Sequence, residues 1–392
     1  MHTTPTVVIA PSGFKESLDA DRVADAIAEG VRRVLPAATV RCVPLVDGGE
    51  GTAAALARAT GGTLMRRKVV GPVGAKVKSH FAMLGDSTTA AVEMAAAAGL
   101  SLVPRDRRNP LRTTTYGVGQ LLIAALDAGA THILLGCGDS GTSDGGAGAL
   151  QAMGVRLLDN RGHELGRGAK ALADLDRIDF SGLDPRLADV GITLACNPTN
   201  VLTGPRGVAR VFGPQKGASP AQVDRLAKAL KHWARTLERD APAASGLDLR
   251  RGLGTGASGG LGAGMAAIGA TLRPRFEVLL DQFDLDGALT DADLVITAEG
   301  SIDAQTPNGK VPAEVARRAA ARAVPVLALA GTIGPDAGCV HEVGIDAVQG
   351  ILPAPMELAE ACDRAAELVT DGAERALRTV MLGAGLPRQS AA

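Results

Sequence analysis

The chain alternates short apolar runs with polar loops rich in glycine. Residues 7–10 are apolar and stop at Pro11, which predicts a buried strand. A helix is predicted over 19–34, because Val23, Ile27 and Val31 recur four apart on one face. A second strand is predicted over 39–43. It leads into the loop Asp47-Gly48-Gly49-Glu50-Gly51-Thr52 and an alanine-rich helix to residue 60. The C-terminal part keeps this rhythm. A strand over 294–296 is followed by an acidic loop, a helix over 313–322, strands over 326–330 and 347–351, and a helix over 357–377. Five strands with helices between them predict a flavodoxin-like, doubly wound parallel sheet of the α/β class. On the strand order 2-1-3-4-5, the crevice lies between the first and third strands, which end at Lys15 and Glu299.

Residues 62–288 interrupt that rhythm. Strands are predicted over 76–84, 88–94, 132–135 and 193–196, with helices over 117–128 and 221–238. The mixture is less regular and predicts an inserted α/β domain with a mixed sheet. The expected domains are therefore 1–61 with 289–392, and 62–288. No internal repeat of fixed period is visible.

Composition narrows the function classes. Apolar residues make up 46% of 392, enough for sizeable cores, but aromatics only 2%, so those cores rely on Ala, Val, Leu and Ile. The 50 glycines are not periodic and cluster beside Asp, Ser, Thr and Asn, as in tight turns that approach a ligand. With 41 basic and 42 acidic residues the balance favours neither nucleic acid nor an anionic membrane. No N-terminal stretch has a basic start and a long apolar core, so no signal peptide is expected. Apolar stretches are too short and glycine-broken for a spanning helix. The five cysteines form no Cys-x-x-Cys pair, which argues against structural zinc and a disulfide framework. The expectation is a soluble cytoplasmic enzyme, monomeric or homodimeric, acting on a small molecule.

Several loops carry candidate chemistry. The run Glu299-Gly300, Asp303, Asn308-Gly309-Lys310 follows a buried strand, where ligands of open α/β sheets sit. Two acids there can hold a divalent metal, and a lysine can neutralise a phosphate. Gly136-Cys137-Gly138-Asp139-Ser140-Gly141 matches the G-x-G-x-x-G dinucleotide pattern. Asp139 and Asp144 would repel a pyrophosphate, however, so residues 138–146 suit a metal–phosphate loop better; a plain strand-to-helix turn capped by Asp remains the simpler alternative. The pattern recurs at residues 254–259 with no clear strand before it, which leaves anion binding and close helix packing both open. No G-x-x-x-x-G-K-[ST] occurs. Residues 199–207 and 212–217 are rich in Arg, Lys, Gln and Gly, which suits carboxylate or phosphate recognition.

Together these stretches resemble the glycerate kinase family of the bacterial glycerate 2-kinase type. The resemblance rests on residues 47–52, the Ser/Thr-rich loop ending Asp144-Gly145-Gly146, Thr203-Gly204-Pro205-Arg206-Gly207, residues 211–217, residues 258–264, Glu299-Gly300-Ser301-Ile302-Asp303 and Asn308-Gly309-Lys310. It implies phosphorylation of glycerate to 2-phosphoglycerate, dependent on ATP and Mg²⁺. Lys15, Asp47, Glu50, Asp144, Glu299 and Asp303 are the candidate catalytic residues, with Asp144 and Glu299 as metal ligands. Ser12, Lys15, Asn197, Asn200, Arg206, Lys216, Ser301 and Lys310 are candidates for the acceptor. Gly138, Ser140, Thr142, Gly145, Gly146, Gly256, Ser258, Gly259 and Gly260 are candidates for the nucleotide. The chain departs from the family pattern at Ser12 and Asn197, where aspartate is usual, and at Ser301, where arginine is usual. These departures keep two rivals open, a kinase for another small hydroxy acid and a non-catalytic family member; the two G-x-G-x-x-G matches keep a third, a nicotinamide oxidoreductase.

Overall fold

The computed structural model describes residues 4–14, 17–243 and 246–384. In chain order the strands are β1 (Thr6–Ile9), β2 (Thr39–Cys42), β3 (Thr63–Val70), β4 (Lys76–Met83), β5 (Thr89–Glu93), β6 (His132–Gly136), β7 (Arg156–Leu158), β8 (Arg177–Asp179), β9 (Gly191–Cys196), β10 (Thr271–Pro274), β11 (Leu294–Ile302), β12 (Val326–Ile333) and β13 (Ala347–Gly350). The chain divides into two compact units, Met1–Asp47 with Phe283–Ala392, and Gly48–Gln282.

The first unit is a five-stranded, wholly parallel sheet in the order β13-β12-β11-β1-β2. That is the doubly wound order expected from the alternation of strands and helices. Asp19 caps the helix Ala20–Val34 by accepting the Arg22 N–H at 2.9 Å. Val23, Ile27 and Val31 are fully buried, as their spacing predicts. Gly30 admits the helix Ala365–Ala384, since a Cβ there would lie 2.5 Å from Thr370 O. The main departure from the sequence pattern is β11. It continues past the apolar run through Glu299 and Ser301, because β12 extends with it and pairs Glu299 with Ala330 and Ser301 with Thr332.

The second unit contains a mixed six-stranded sheet in the order β10-β9-β6-β5-β4-β3, with a small β7-β8 ribbon. The strands β5, β6, β9 and β10 run parallel, while β3 and β4 are antiparallel additions. β3 has no apolar alternation to reveal it. It is an edge strand carrying Arg66, Arg67 and Lys68, residues that discourage pairing with another chain. The helix Thr52–Thr60, which the sequence groups with the first domain, packs on β3, β4 and β5. Each unit has its own apolar core: one is drawn from residues 69–270, the other from residues 7–31 and 296–377.

Candidate active site

In the first unit the candidate residues gather beyond the carboxyl ends of β1 and β11. Period-two alternation along β11 puts Glu299 and Ser301 on one face, and Asp303 follows the strand. Lys310 reaches back to them. Its ammonium donates to Ser301 O at 2.9 Å and to Asp303 Oδ2 at 3.4 Å, and lies 3.9 Å from Glu299 Oε2. The Ser301 hydroxyl also donates to Asp303 Oδ2, at 3.1 Å. Burial opposes ionisation of Asp303. The Gln305 amide, the Lys310 charge and the Ser301 hydroxyl outweigh it and hold the carboxyl below its ordinary range. The cluster is thus two carboxylates and one ammonium at a strand end. Ser12 lies beside it, with its hydroxyl and its amide both donating to Ala298 O at 3.0 and 2.9 Å. Asp47 is half-buried at the end of this unit's first segment. Lys15 lies outside the described residues.

In the second unit the two glycine-rich loops lock together at the ends of β6 and β9. The Gly145 amide donates to Gly259 O at 3.1 Å. Ser258, Gly259 and Gly260 have φ values of 51, 70 and 95°, three successive left-handed residues inside the helical segment Ala257–Ala266. Such backbone is costly for a residue with a Cβ and is typical of loops shaped around a ligand. A Cβ on Gly259 would lie 2.1 Å from Thr142 O, and one on Gly260 would lie 2.8 Å from Gly145 Cα. The second loop also grips the chain after β9: Gly254 N donates to Pro198 O and Gly256 N to Asn200 O. Asn197 closes a local turn by accepting from Thr199. Arg206 is exposed.

Lys216 is buried inside the first of these loops. Its ammonium donates to Ser140 Oγ at 2.9 Å and to Thr142 O at 2.7 Å. Burial pushes its pKa down to about 7, against the opposing influence of Asp144. Asp144 is fully buried, and both its oxygens are engaged. They accept from Thr115 N at 2.8 Å, from Thr115 Oγ1 at 3.0 Å, and from the amides of Gly146 and Gly148 at 3.3 Å. Burial raises its carboxyl above the ordinary range despite these donors. That environment suits a loop anchor, with both oxygens already accepting hydrogen bonds at the position expected to hold a metal. By contrast, Thr142 Oγ1 and Ser143 Oγ are buried with no hydrogen-bond partner among the described residues. Two orphaned hydroxyls in a glycine cradle are what a phosphate would satisfy.

The Asp47–Thr52 motif joins this second cluster from Gly48 onward. A Cβ on Gly138 would lie 2.6 Å from Gly49 Cα, so the two loops touch through glycines. The Glu50 amide donates to Asp139 Oδ2 at 3.2 Å, while the Glu50 side chain is exposed. Sequence reasoning missed Thr115, Glu93 and Trp233, all of which hold these loops. Glu93 ends the apolar strand β5 as Glu299 ends an apolar run, so the same signal marked it. No helix among the described residues is long and apolar enough to cross a membrane.

The glycerate kinase family model matches residues 7–381. Glycerate kinase of Bacillus subtilis (strain 168) is 48% identical over 92% of this chain and 94% of its own length. Glycerate 2-kinase of Escherichia coli (strain K12) is 44% identical, covering 96% and 98%. A crystal structure of a protein assigned as glycerate kinase 2 from Salmonella typhimurium LT2 superposes with a TM-score of 0.82 at 43% identity. It covers 98% of this chain and 100% of that one. A family match over nearly the whole length, relatives far above 30% identity and a shared fold agree, and the chain belongs to the glycerate kinase family.

Proposed function

We propose that this chain is an ATP-dependent glycerate 2-kinase that phosphorylates the 2-hydroxyl of glycerate. The observation that carries the reading is the interlocked pair of glycine loops around Lys216, with the unsatisfied hydroxyls of Thr142 and Ser143. Those groups fit a nucleotide's phosphates: amides, hydroxyls and one ammonium, with glycines where a Cβ would intrude. ATP with Mg²⁺ supplies the phosphoryl group and offsets its charge. Among the described residues no three acids, histidines or cysteines converge on one point. Magnesium ordinarily takes one or two carboxylates besides phosphate oxygens and waters, and Glu299 and Asp303 are a carboxylate pair of that kind. Asp144 serves in this reading as the anchor of the nucleotide loop. Lys310 keeps Asp303 ionised and counters the charge of its two acids. The candidates for taking the hydroxyl proton are Asp47 and Glu50, and Glu299 where it is not engaged by magnesium.

The test is ATP consumption across a panel of small hydroxy acids, with the product read by ³¹P NMR. D-glycerate is expected to support turnover, and the product phosphorus should couple to a single proton, because it is borne by the oxygen of the secondary carbon. Turnover with another hydroxy acid and none with glycerate would overturn the acceptor assignment. ATP binding without turnover on any acceptor would indicate a non-catalytic member. NADH binding in the absence of ATP binding would overturn the kinase reading.

A further inference from the structure

The helix Thr52–Thr60 begins at Gly51, which has no side chain to cap it. The cap comes from a neighbouring strand. Glu93, at the end of β5, is fully buried and accepts the Gly51 amide at 3.1 Å through Oε1 and the Ala53 amide at 2.7 Å through Oε2. A buried carboxylate needs compensating charge. The helix N-terminus supplies part of it. His80, the β4 residue opposite Arg66, lies alongside with Nε2 3.3 Å from Glu93 Oε1, and Glu93 raises the pKa of its imidazole. The His80 side chain is partly exposed while Glu93 is fully buried, so the contact runs from the protein's interior towards its surface. The two amides that Glu93 grips flank Thr52, the last residue of the Asp47–Thr52 motif.

We propose that the Glu93–His80 pair is a positioning device that fixes the Asp47–Thr52 loop in its working conformation. It rests on the reading of that loop as part of the kinase site. Neither residue need touch substrate: Glu93 acts through the backbone of Gly51 and Ala53, and His80 acts by holding the Glu93 carboxyl in place from the outer side. Asp139 assists from the other side through the Glu50 amide. Both Glu93 oxygens accept from N–H groups, so a glutamine can satisfy only one of them, and its amide would face the other donor. An aspartate keeps the charge but is one methylene short.

The experiment compares wild type, Glu93→Gln, Glu93→Asp and His80→Gln in the full chain. Backbone hydrogen exchange over residues 48–56 is read alongside kcat and KM for ATP and glycerate. Exchange at Gly51 and Ala53 should rise about tenfold or more in Glu93→Gln. Turnover should fall up to about a hundredfold with little change in KM for ATP. Glu93→Asp should recover part of both, and His80→Gln should show a smaller effect in the same direction. If Glu93→Gln is too unstable to purify, His80→Gln carries the same test at a partly exposed site. Unchanged exchange at those two amides would overturn the proposal. So would a normal kcat with only a lower melting temperature, which is what a purely structural cap predicts. The exchange readout does not depend on the reaction, so loss of the kinase assignment would be recognised separately.

Discussion

At the scale of single residues, Lys216 and Asp144 show how far a motif can be read. The sequence marked both as polar residues in glycine loops, and both are in the same cluster. Their surroundings depend on burial, which no motif displays: Asp144 is enclosed by amides and the Thr115 hydroxyl, and Lys216 has its pKa lowered to about 7. The lysine carries a signed prediction. Its folded-state pKa of about 7 lies below the ordinary 10.5. Between those values the unfolded chain binds a proton that the folded chain does not, so the Lys216 contribution to stability rises with pH through that window and is lost as pH falls to 7. Thermal unfolding should therefore show wild type gaining on Lys216→Met between pH 7 and about 9. On the proposed function, activity should move the other way, because the charge assigned to the phosphate is lost on the same limb. kcat/KM is expected to fall as pH rises through about 7 in wild type, and Lys216→Arg, which stays charged, should flatten that limb. Glu299→Gln, at the strand end beside Lys310, should lower kcat by about a hundredfold or more. Unchanged turnover would remove Glu299 from the chemistry.

At the scale of elements, the parallel strands and amphipathic helices were legible because burial is periodic. Val23, Ile27 and Val31 report their own helix face. The elements that escaped detection are those whose pairing is decided elsewhere in the chain. β3 is set by β4, the polar half of β11 by β12, and β10 by β9. The glycine loops were visible as composition, yet their interlock was not, because it depends on left-handed backbone and close approach. Two glycines separate those effects. Gly51 has φ 89°, and a Cβ there would meet no atom within 4 Å, so Gly51→Ala should cost about 1 kcal/mol from backbone conformation alone. Gly259 has φ 70° and a Cβ would meet Thr142 O at 2.1 Å, a backbone atom that cannot swing aside. Gly259→Ala should cost about 3 kcal/mol and weaken ATP binding. Denaturant unfolding of the two variants checks the difference, and equal losses would mean that the loop contact contributes nothing.

At the scale of the whole molecule, the sequence foresaw a sheet interrupted by a second domain, but it placed the first crossing after the helix that ends at residue 60. The structure puts it at Asp47, because that helix buries Ala53 and Leu56 in the second unit. The cores agree with this division: neither contains a residue of the other unit. A continuous segment with its own sheet and its own core has what independent folding requires. Residues 48–282 expressed alone should therefore unfold cooperatively and keep the near-ultraviolet dichroism of packed side chains. The only tryptophan of the chain, Trp233, is buried in this segment and donates to Gly145 O at 2.9 Å. Its fluorescence is thus a direct reporter of the first glycine loop. Adding ATP with Mg²⁺ to the excised segment should change that emission saturably, because both glycine loops and Lys216 are present. On the proposed function, turnover of glycerate should be absent, because Glu299, Asp303 and Lys310 lie outside this segment. An excised segment that folds but leaves Trp233 emission unchanged by ATP would show that the glycine loops do not bind the nucleotide by themselves, and Lys216 would then have to be reassigned to the acceptor.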